Sequence, residues 1–472
     1  MSRQLKYTRF TASPTIESVL LASDITDVVP RAKDKTFIFQ DQKGIRETDS
    51  STAGIAGLEE LIGEYSLYLE QQTPEKALNV LRRIVKLTPS SSEAYTRLGL
   101  CYWELDDMGR AAQALEKAAK LDPNNATAQF HLGTVYITPF LTSGDASKLR
   151  KAIAPVKKAI QAGIHVAAGH LYLGIIYTGL KNWQAAEEHY LKAIEFDDRL
   201  SAAYMKLADL YVELGDLNQA ERDYYYKHAI ATYEKLVKVD PKNSDAYNLM
   251  AMRHEDLGNS DDALEAYEKA VENEAEDLVT LASLGTIYIQ VGCFEEARLV
   301  LRRIIETDVR GVEAYINRRG EKHNDAYLFL ADAYTSYGVA CMELFRKGRE
   351  VQEGGEGDAA LLHEAEASFK KAIELDPNHT YPLFDLGVLY YEQNRVEEAI
   401  SEMKKVLEID PDHREAKENL KELQESLRTG GEPEHPLATL LGLATDMGVT
   451  DLAARHDFYA HGRREDDVDI KG

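Results

Sequence analysis

The chain has 472 residues, 44% of them apolar, and carries 80 acidic against 55 basic side chains for a formal charge of −25. That apolar share can build packed cores, which excludes a wholly disordered chain. The acidity excludes non-specific nucleic-acid binding, which needs lysine and arginine to displace counterions.

Residues 1–57 show no helical period. They hold the β-prone run Thr36-Phe-Ile-Phe-Gln between polar stretches and read as an extended or partly disordered N-terminal segment. No apolar core follows Met1-Ser-Arg-Gln-Leu-Lys-Tyr, so no secretion signal is expected, and no apolar run approaches a membrane span. Cys101, Cys293 and Cys341 lie far apart inside helical patterns without a CxxC, which suits buried thiols in a reducing compartment. The expected location is cytoplasmic.

From residue 58 a repeat begins. Small residues recur at Ala77, Ala111, Ala186, Ala263, Ala297, Ala365 and Ala399, and again at Gly99, Gly133, Gly174, Ala208, Ala251, Gly285, Ala331 and Gly387. Tyrosine stands three positions after the second column at Tyr102, Tyr136, Tyr177, Tyr211, Tyr288, Tyr334 and Tyr390, and earlier at Tyr68, with His254 in its place once. The repetition accounts for the 26 tyrosines, more than the 12 phenylalanines and 2 tryptophans combined. Prolines close units at Pro89, Pro123, Pro241, Pro377 and Pro411. Several neighbouring units are spaced by roughly 34 residues. The clearest reads Ser92-Glu-Ala-Tyr-Thr-Arg-Leu-Gly-Leu-Cys-Tyr-Trp-Glu-Leu, then Gly109-Arg-Ala-Ala-Gln-Ala-Leu, then Leu121-Asp-Pro.

These columns have physical causes. Tyr95, Leu98, Gly99 and Tyr102 share one helical face. Gly99 and Ala111 are small because two helices approach closely there, and a larger side chain would cost about 1–3 kcal/mol by overpacking. Pro123 cannot continue a helix and ends the second one. The chain therefore resembles the tetratricopeptide-repeat family over residues 58–428. The resemblance implies an all-α, right-handed solenoid of about nine helical hairpins, stacked because one hairpin cannot bury its apolar face alone.

In chain order, the unit near Ala126 carries extra residues around 138–150, and Pro155 in its second helix is expected to kink that helix or shift its start. The unit near Ser201 is longer around 220–230, where Ala220 or Ala229 can fill the small-residue column. The unit near Asn324 has the largest insertion, around 336–360, and Arg346-Lys-Gly-Arg-Glu-Val-Gln-Glu-Gly-Gly-Glu-Gly-Asp reads as an exposed loop. Residues 412–428 form a polar capping helix, as a solenoid needs for solubility. After Thr429-Gly-Gly-Glu-Pro, residues 429–472 read as a tethered tail with short helices.

No phosphate loop, HExxH or catalytic cysteine signature occurs, so neither an enzyme nor a cofactor is expected. His456 and His461 match no strong zinc spacing and are read as surface residues, and no metal site is expected. In the resembled family the first helix of each hairpin lines a concave groove that holds partner peptides. That implies a groove of Thr96, Leu100, Trp103 and Glu104, then Phe130, Thr134 and Ile137, then Leu171 and Ile175, all largely apolar. It continues with Met205 and Asp209, then Asn248, Met252 and Glu255, which is more acidic. The Lys, Asn and Arg clamp of chaperone-binding members is absent, with Arg97 and Lys206 as isolated cations. The implied partner is a protein or peptide with basic flanks, held by a scaffold or adaptor with Trp103 as anchor. Neither nucleic acid nor membrane is an expected partner, and self-association is left open. The alternative is a switch in which proteolysis at Arg428 or Arg349 releases the tail or frees the groove.

Overall fold

The computed structural model describes residues 52–71, 73–274, 277–307, 309–318, 325–351 and 356–429. Most of the N-terminal segment and the tail, His456 and His461 included, lie outside these residues.

The described residues hold twenty α-helices and no strand, an all-α array as expected. In the half ending at Pro241, hairpins form from α1 (Thr52–Glu70) and α2 (Pro74–Leu87), α3 (Ser92–Glu104) and α4 (Met108–Leu121), and α5 (Ala126–Ser143) and α6 (Leu149–Gln161). Two more follow, α7 (Val166–Gly179) with α8 (Trp183–Phe196), and α9 (Ser201–Leu217) with α10 (Arg222–Val239). The half beginning at Lys242 contains α11 (Ser244–Asp256) with α12 (Ser260–Asn273), and α13 (Leu278–Gln290) with α14 (Phe294–Ile305). After α15 (Val309–Arg318) come α16 (Asp325–Val351) with α17 (Glu356–Leu375), α18 (Thr380–Glu392) with α19 (Val396–Ile409), and the cap α20 (Arg414–Thr429). The two halves are separate compact units, a division at Pro241–Lys242 that the repeat pattern does not announce.

The columns act as their chemistry requires. A Cβ on Gly99 would sit 2.6 Å from Cγ of Leu115, and one on Gly285 would sit 2.5 Å from Cγ of Leu301, so each glycine is the point of closest approach inside its hairpin. Ala111, Ala186, Ala263, Ala297, Ala365 and Ala399 are buried opposite. Helix starts are capped by side chains: Asn125 accepts the amide of Ala128 at 2.9 Å and Asn243 that of Ala246 at 2.9 Å, each cap worth about 1 kcal/mol. Pro89, Pro123, Pro241, Pro377 and Pro411 all lie in the turns after second helices.

Tyrosine rather than phenylalanine has a reason. Tyr211 donates its hydroxyl to Glu187 at 2.7 Å and Tyr288 to Glu268 at 2.7 Å, while Tyr136 donates to Glu116. Each acceptor sits on the second helix of the preceding hairpin, so the column stitches one repeat to the next. Burial first, then the adjacent carboxylate, pushes these hydroxyls above the usual phenol range.

The insertions are absorbed differently from the expectation. Residues 138–143 prolong α5 through Pro139, and Gly144, at φ 72°, ends it in the left-handed conformation. Pro155 lies inside α6 without delaying its start. Ala229 is fully buried and fills the small column, whereas Ala220 is exposed in the turn. The expected loop from Arg346 is corrected: α16 runs unbroken to Val351, and helix resumes at Glu356. Arg346 is held there because its guanidinium bonds Glu392 from α18, with Nε at 2.7 Å from Oε1, and also Glu343 on its own helix. This pair ties two successive hairpins together at Arg346.

Candidate partner-binding site

The first helices of successive hairpins touch one another, α3 with α5, α5 with α7, and α7 with α9 in one half, and α13 with α16 and α16 with α18 in the other. They bring the predicted groove residues onto one set of elements, but bury most of them. Phe130, Ile137, Leu171 and Ile175 are core residues, and Thr96, Thr134, Asn248 and Met252 are also buried. The expectation that these side chains stand open to a partner is corrected. Every residue from Ala128 to Thr138 is buried, which covers all sides of α5. What remains accessible is narrower: Leu100, Trp103, Met205, Asp209 and Glu255 are half-buried and Glu104 is exposed.

In the half ending at Pro241 the site is an aromatic array. The Trp103 ring lies 6.0 Å from His131, and Phe130 lies 5.5 Å from His131, 5.4 Å from Tyr172 and 4.7 Å from His165. Three successive hairpins thus contribute rings to one patch, with offset and edge contacts that add to area burial. Burial pushes His131 down to about 3, so the imidazole is neutral, and pushes the Tyr172 hydroxyl up to about 12. Trp103 forms the accessible end of this array. The sequence pattern points to Trp103 and Phe130 and reads His131 as packed, as it is, but does not reach His165 and Tyr172, which join the array only when the hairpins are stacked.

In the half beginning at Lys242 the first helices carry charge instead. Arg253 pairs with Asp256 at 3.2 Å, and Tyr267 donates to Glu255 at 2.5 Å. Asp332 faces His379, with Oδ1 and Nε2 at 3.5 Å, both side chains buried. Further along the same helices Arg346 pairs with Glu343 and Glu392, all with little side-chain exposure, and Asp385 is buried. Burial raises the Asp385 carboxyl to about 7, opposed by Arg346 and assisted by Glu343.

The two cations read as isolated are in ion pairs, Arg97 with Glu93 at 2.7 Å and Lys206 with Asp209 at 2.9 Å. Arg428 is exposed in the last turn of α20, 4.0 Å from Glu425. Arg349 lies within α16. Cys101 and Cys341 are buried and their thiols pushed up to about 12 by that burial, while Cys293 is half-buried at the start of α14. Among the described residues, no group of three or more His, Cys, Asp or Glu side chains is placed to hold a metal, and no helix is long and apolar enough to cross a membrane.

Family models described as tetratricopeptide repeat match residues 66–135 and 226–277, 201–243, and 359–423. Tetratricopeptide repeat protein 8 of Caenorhabditis elegans is 26% identical over 241 residues, covering 50% of this chain and 43% of that protein. Protein CTR9 homolog of Arabidopsis thaliana is 24% identical over 322 residues, covering 66% of this chain and 28% of that one. The chain thus spans less than half the length of these two relatives. Among solved structures, MamA is 26% identical with a TM-score of 0.33, covering 39% of this chain and 92% of its own. The repeat columns recur where the hairpins pack and where the family models match, so residues 66–135, 201–277 and 359–423 are tetratricopeptide repeats.

Proposed function

We propose that this chain is a protein-interaction scaffold that holds a partner polypeptide along the first helices of its hairpins, anchored at the Trp103 edge. The supporting observation is the position of Trp103, half-buried with its ring against His131 and beside half-buried Leu100 and exposed Glu104. An aromatic side chain held rigidly by a buried ring array and open on one side is the type of residue that dominates interface energetics. Its neighbours suit a peptide with an apolar side chain for Leu100 and Trp103 and a basic one for Glu104.

The test is to isolate the partner from the native source and measure its affinity for the unaltered chain and for Trp103→Ala. A loss of about 2 kcal/mol with an unchanged melting temperature supports the anchor. Unchanged affinity with a lowered melting temperature makes Trp103 a packing residue and removes the reading.

The second reading is a switch operated by proteolysis at Arg428, favoured by that residue's exposure in the final turn of α20. Limited trypsin digestion that cuts first at Arg428 and changes partner affinity supports it. Cutting elsewhere first, or no change in affinity after the cut, removes it.

A further inference from the structure

Two histidines in the half ending at Pro241 meet across one hairpin. His170 on α7 and His189 on α8 approach Nδ1 to Nδ1 at 2.9 Å, with ring centres 5.1 Å apart. Aromatic neighbours hold both rings. Phe196 stacks on His170 at 5.4 Å and 5°, and Tyr177 stacks on His189 at 5.4 Å and 3°. His170 is buried and His189 half-buried. The pair breaks the repeat pattern. Four positions before the small column, where His170 stands, other hairpins carry Tyr95, Tyr204 and Tyr247. At the second-helix position of His189 they carry Ala114, Thr232 and Ala266.

Two Nδ1 atoms this close need one proton between them, whichever ring supplies it. A further proton can bind Nε2 of the donor ring, and that imidazolium still donates across the contact. The next proton has only the accepting Nδ1 to bind. It sets N–H against N–H and like charge against like charge, which ends the contact. The charged groups facing the pair are balanced: Lys157 from α6, and Glu188, Lys192 and Glu195 from α8. Glu188 and Lys192 are themselves paired at 2.6 Å. From α9, Tyr211 meets α8 at Glu187, and α5 meets α7 where Phe130 stacks on Tyr172. Burial first, then His170, pushes His189 down to about 4, and burial lowers His170 as well.

We infer that the His170–His189 contact is an acid-sensitive latch that closes α8 on α7 near neutral pH and releases this hairpin locally near pH 5. An opened hairpin leaves both imidazoles free to take protons near the ordinary value of about 6.5. The closed hairpin takes its second proton only near about 4. The open form therefore binds more protons between those values, and opening gains as pH falls through that window. Tyr172 stands two positions beyond His170 and stacks on Phe130, so release reaches the aromatic array behind Trp103. That consequence rests on the scaffold reading, whereas the latch itself does not.

Hydrogen exchange of the full chain at pH 7.5 and pH 5, corrected for intrinsic exchange, reads the opening equilibrium helix by helix. Opening of residues 166–196 is expected to rise at least about tenfold more than that of residues 278–305, a hairpin without histidine. His189→Asn keeps a donor and an acceptor at the contact but takes up no proton. It should abolish the excess while leaving the buried His131 untouched. An equal rise in the two hairpins, or an excess that persists in His189→Asn, overturns the inference. If that variant fails to fold, the imidazole resonances of the unaltered chain, followed by NMR against pH, decide instead. Protonation of the pair in separate steps, the last below pH 5, supports the latch, and both rings protonating together near about 6.5 overturn it. Partner affinity enters none of these readouts, so failure of the latch leaves the scaffold reading to its own test.

Discussion

In the half ending at Pro241, Phe130 and His131 of α5 meet the rings of Trp103 from α3, of His165 at the start of α7 and of Tyr172 on α7. In the half beginning at Lys242, the first helices α16 and α18 carry Asp332, Glu343, Arg346, Asp385 and Glu392 with little exposure, and Asp385 takes the repeat position of His131 and Tyr172. The hairpin is the same in both. Gly99 meets Leu115 in one half as Gly285 meets Leu301 in the other, and Tyr211 reaches Glu187 as Tyr288 reaches Glu268. The small and tyrosine columns therefore govern how helices pair and hairpins stack. The remaining positions of the first helix are not constrained by that packing and can be made apolar or ionic.

The largest expected effect comes from emptying the aromatic half. Phe130→Ala removes a fully buried ring and is expected to cost about 3–5 kcal/mol. Hydrogen exchange should show the loss across α3, α5 and α7, with α16 and α18 unaffected. Loss spread evenly over both halves would make them one cooperative body.

The charged half should answer to a different substitution. Arg346→Met takes the guanidinium from Glu343 and Glu392 and is expected to cost about 3 kcal/mol at neutral pH. Urea unfolding at low and neutral pH checks the cause, because protonating the carboxylates should shrink the deficit. A deficit independent of pH would point to lost packing of the arginine stem.

pH sharpens the contrast, since the two halves carry buried groups displaced in opposite senses. His131 is held down to about 3, so its unfolded form takes up a proton first and this half loses stability as pH falls below about 6.5. Asp385 is raised to about 7, so the folded form keeps a proton that the unfolded chain has released. Its contribution is complete below about pH 4 and is lost as pH rises through about 7. Asp385→Asn should therefore gain on the parent by about 2 kcal/mol between pH 5 and pH 8, whereas His131→Leu should gain as pH falls from 7 to 4. Thermal unfolding across that range is the measurement, and equal trends for the two variants would refute the assignment.

The smallest effect belongs to what the halves share. Tyr211→Phe and Tyr288→Phe each remove one hydroxyl bond to a carboxylate and should cost about 1–2 kcal/mol, alike in both halves. Unequal costs would mean the stitching differs between them.

Much of this was legible beforehand. Gly99, Ala111, Tyr102 and Pro123 mark a hairpin because helix approach, inter-repeat contact and helix termination each admit few residue types. The interior of the site was less legible. Helical spacing told which face Phe130, Leu171 and Ile175 share, but not that neighbouring first helices would close over it. Arg346 was misplaced for the same reason. Its partner Glu392 lies far along the chain, and local glycine content carried no trace of it. His131, His165 and Tyr172 join Trp103 only through stacking, which a single repeat cannot reveal.

We propose that a partner polypeptide lies on the first helices. Hydrogen exchange of the full chain, alone and saturated with its isolated partner, tests it most directly. Slowed exchange at Ser92–Glu104 around Trp103, with Met108–Leu121 on the paired second helix unchanged, is the predicted result. Slowing confined to the second helices, or none in the array at all, would contradict it.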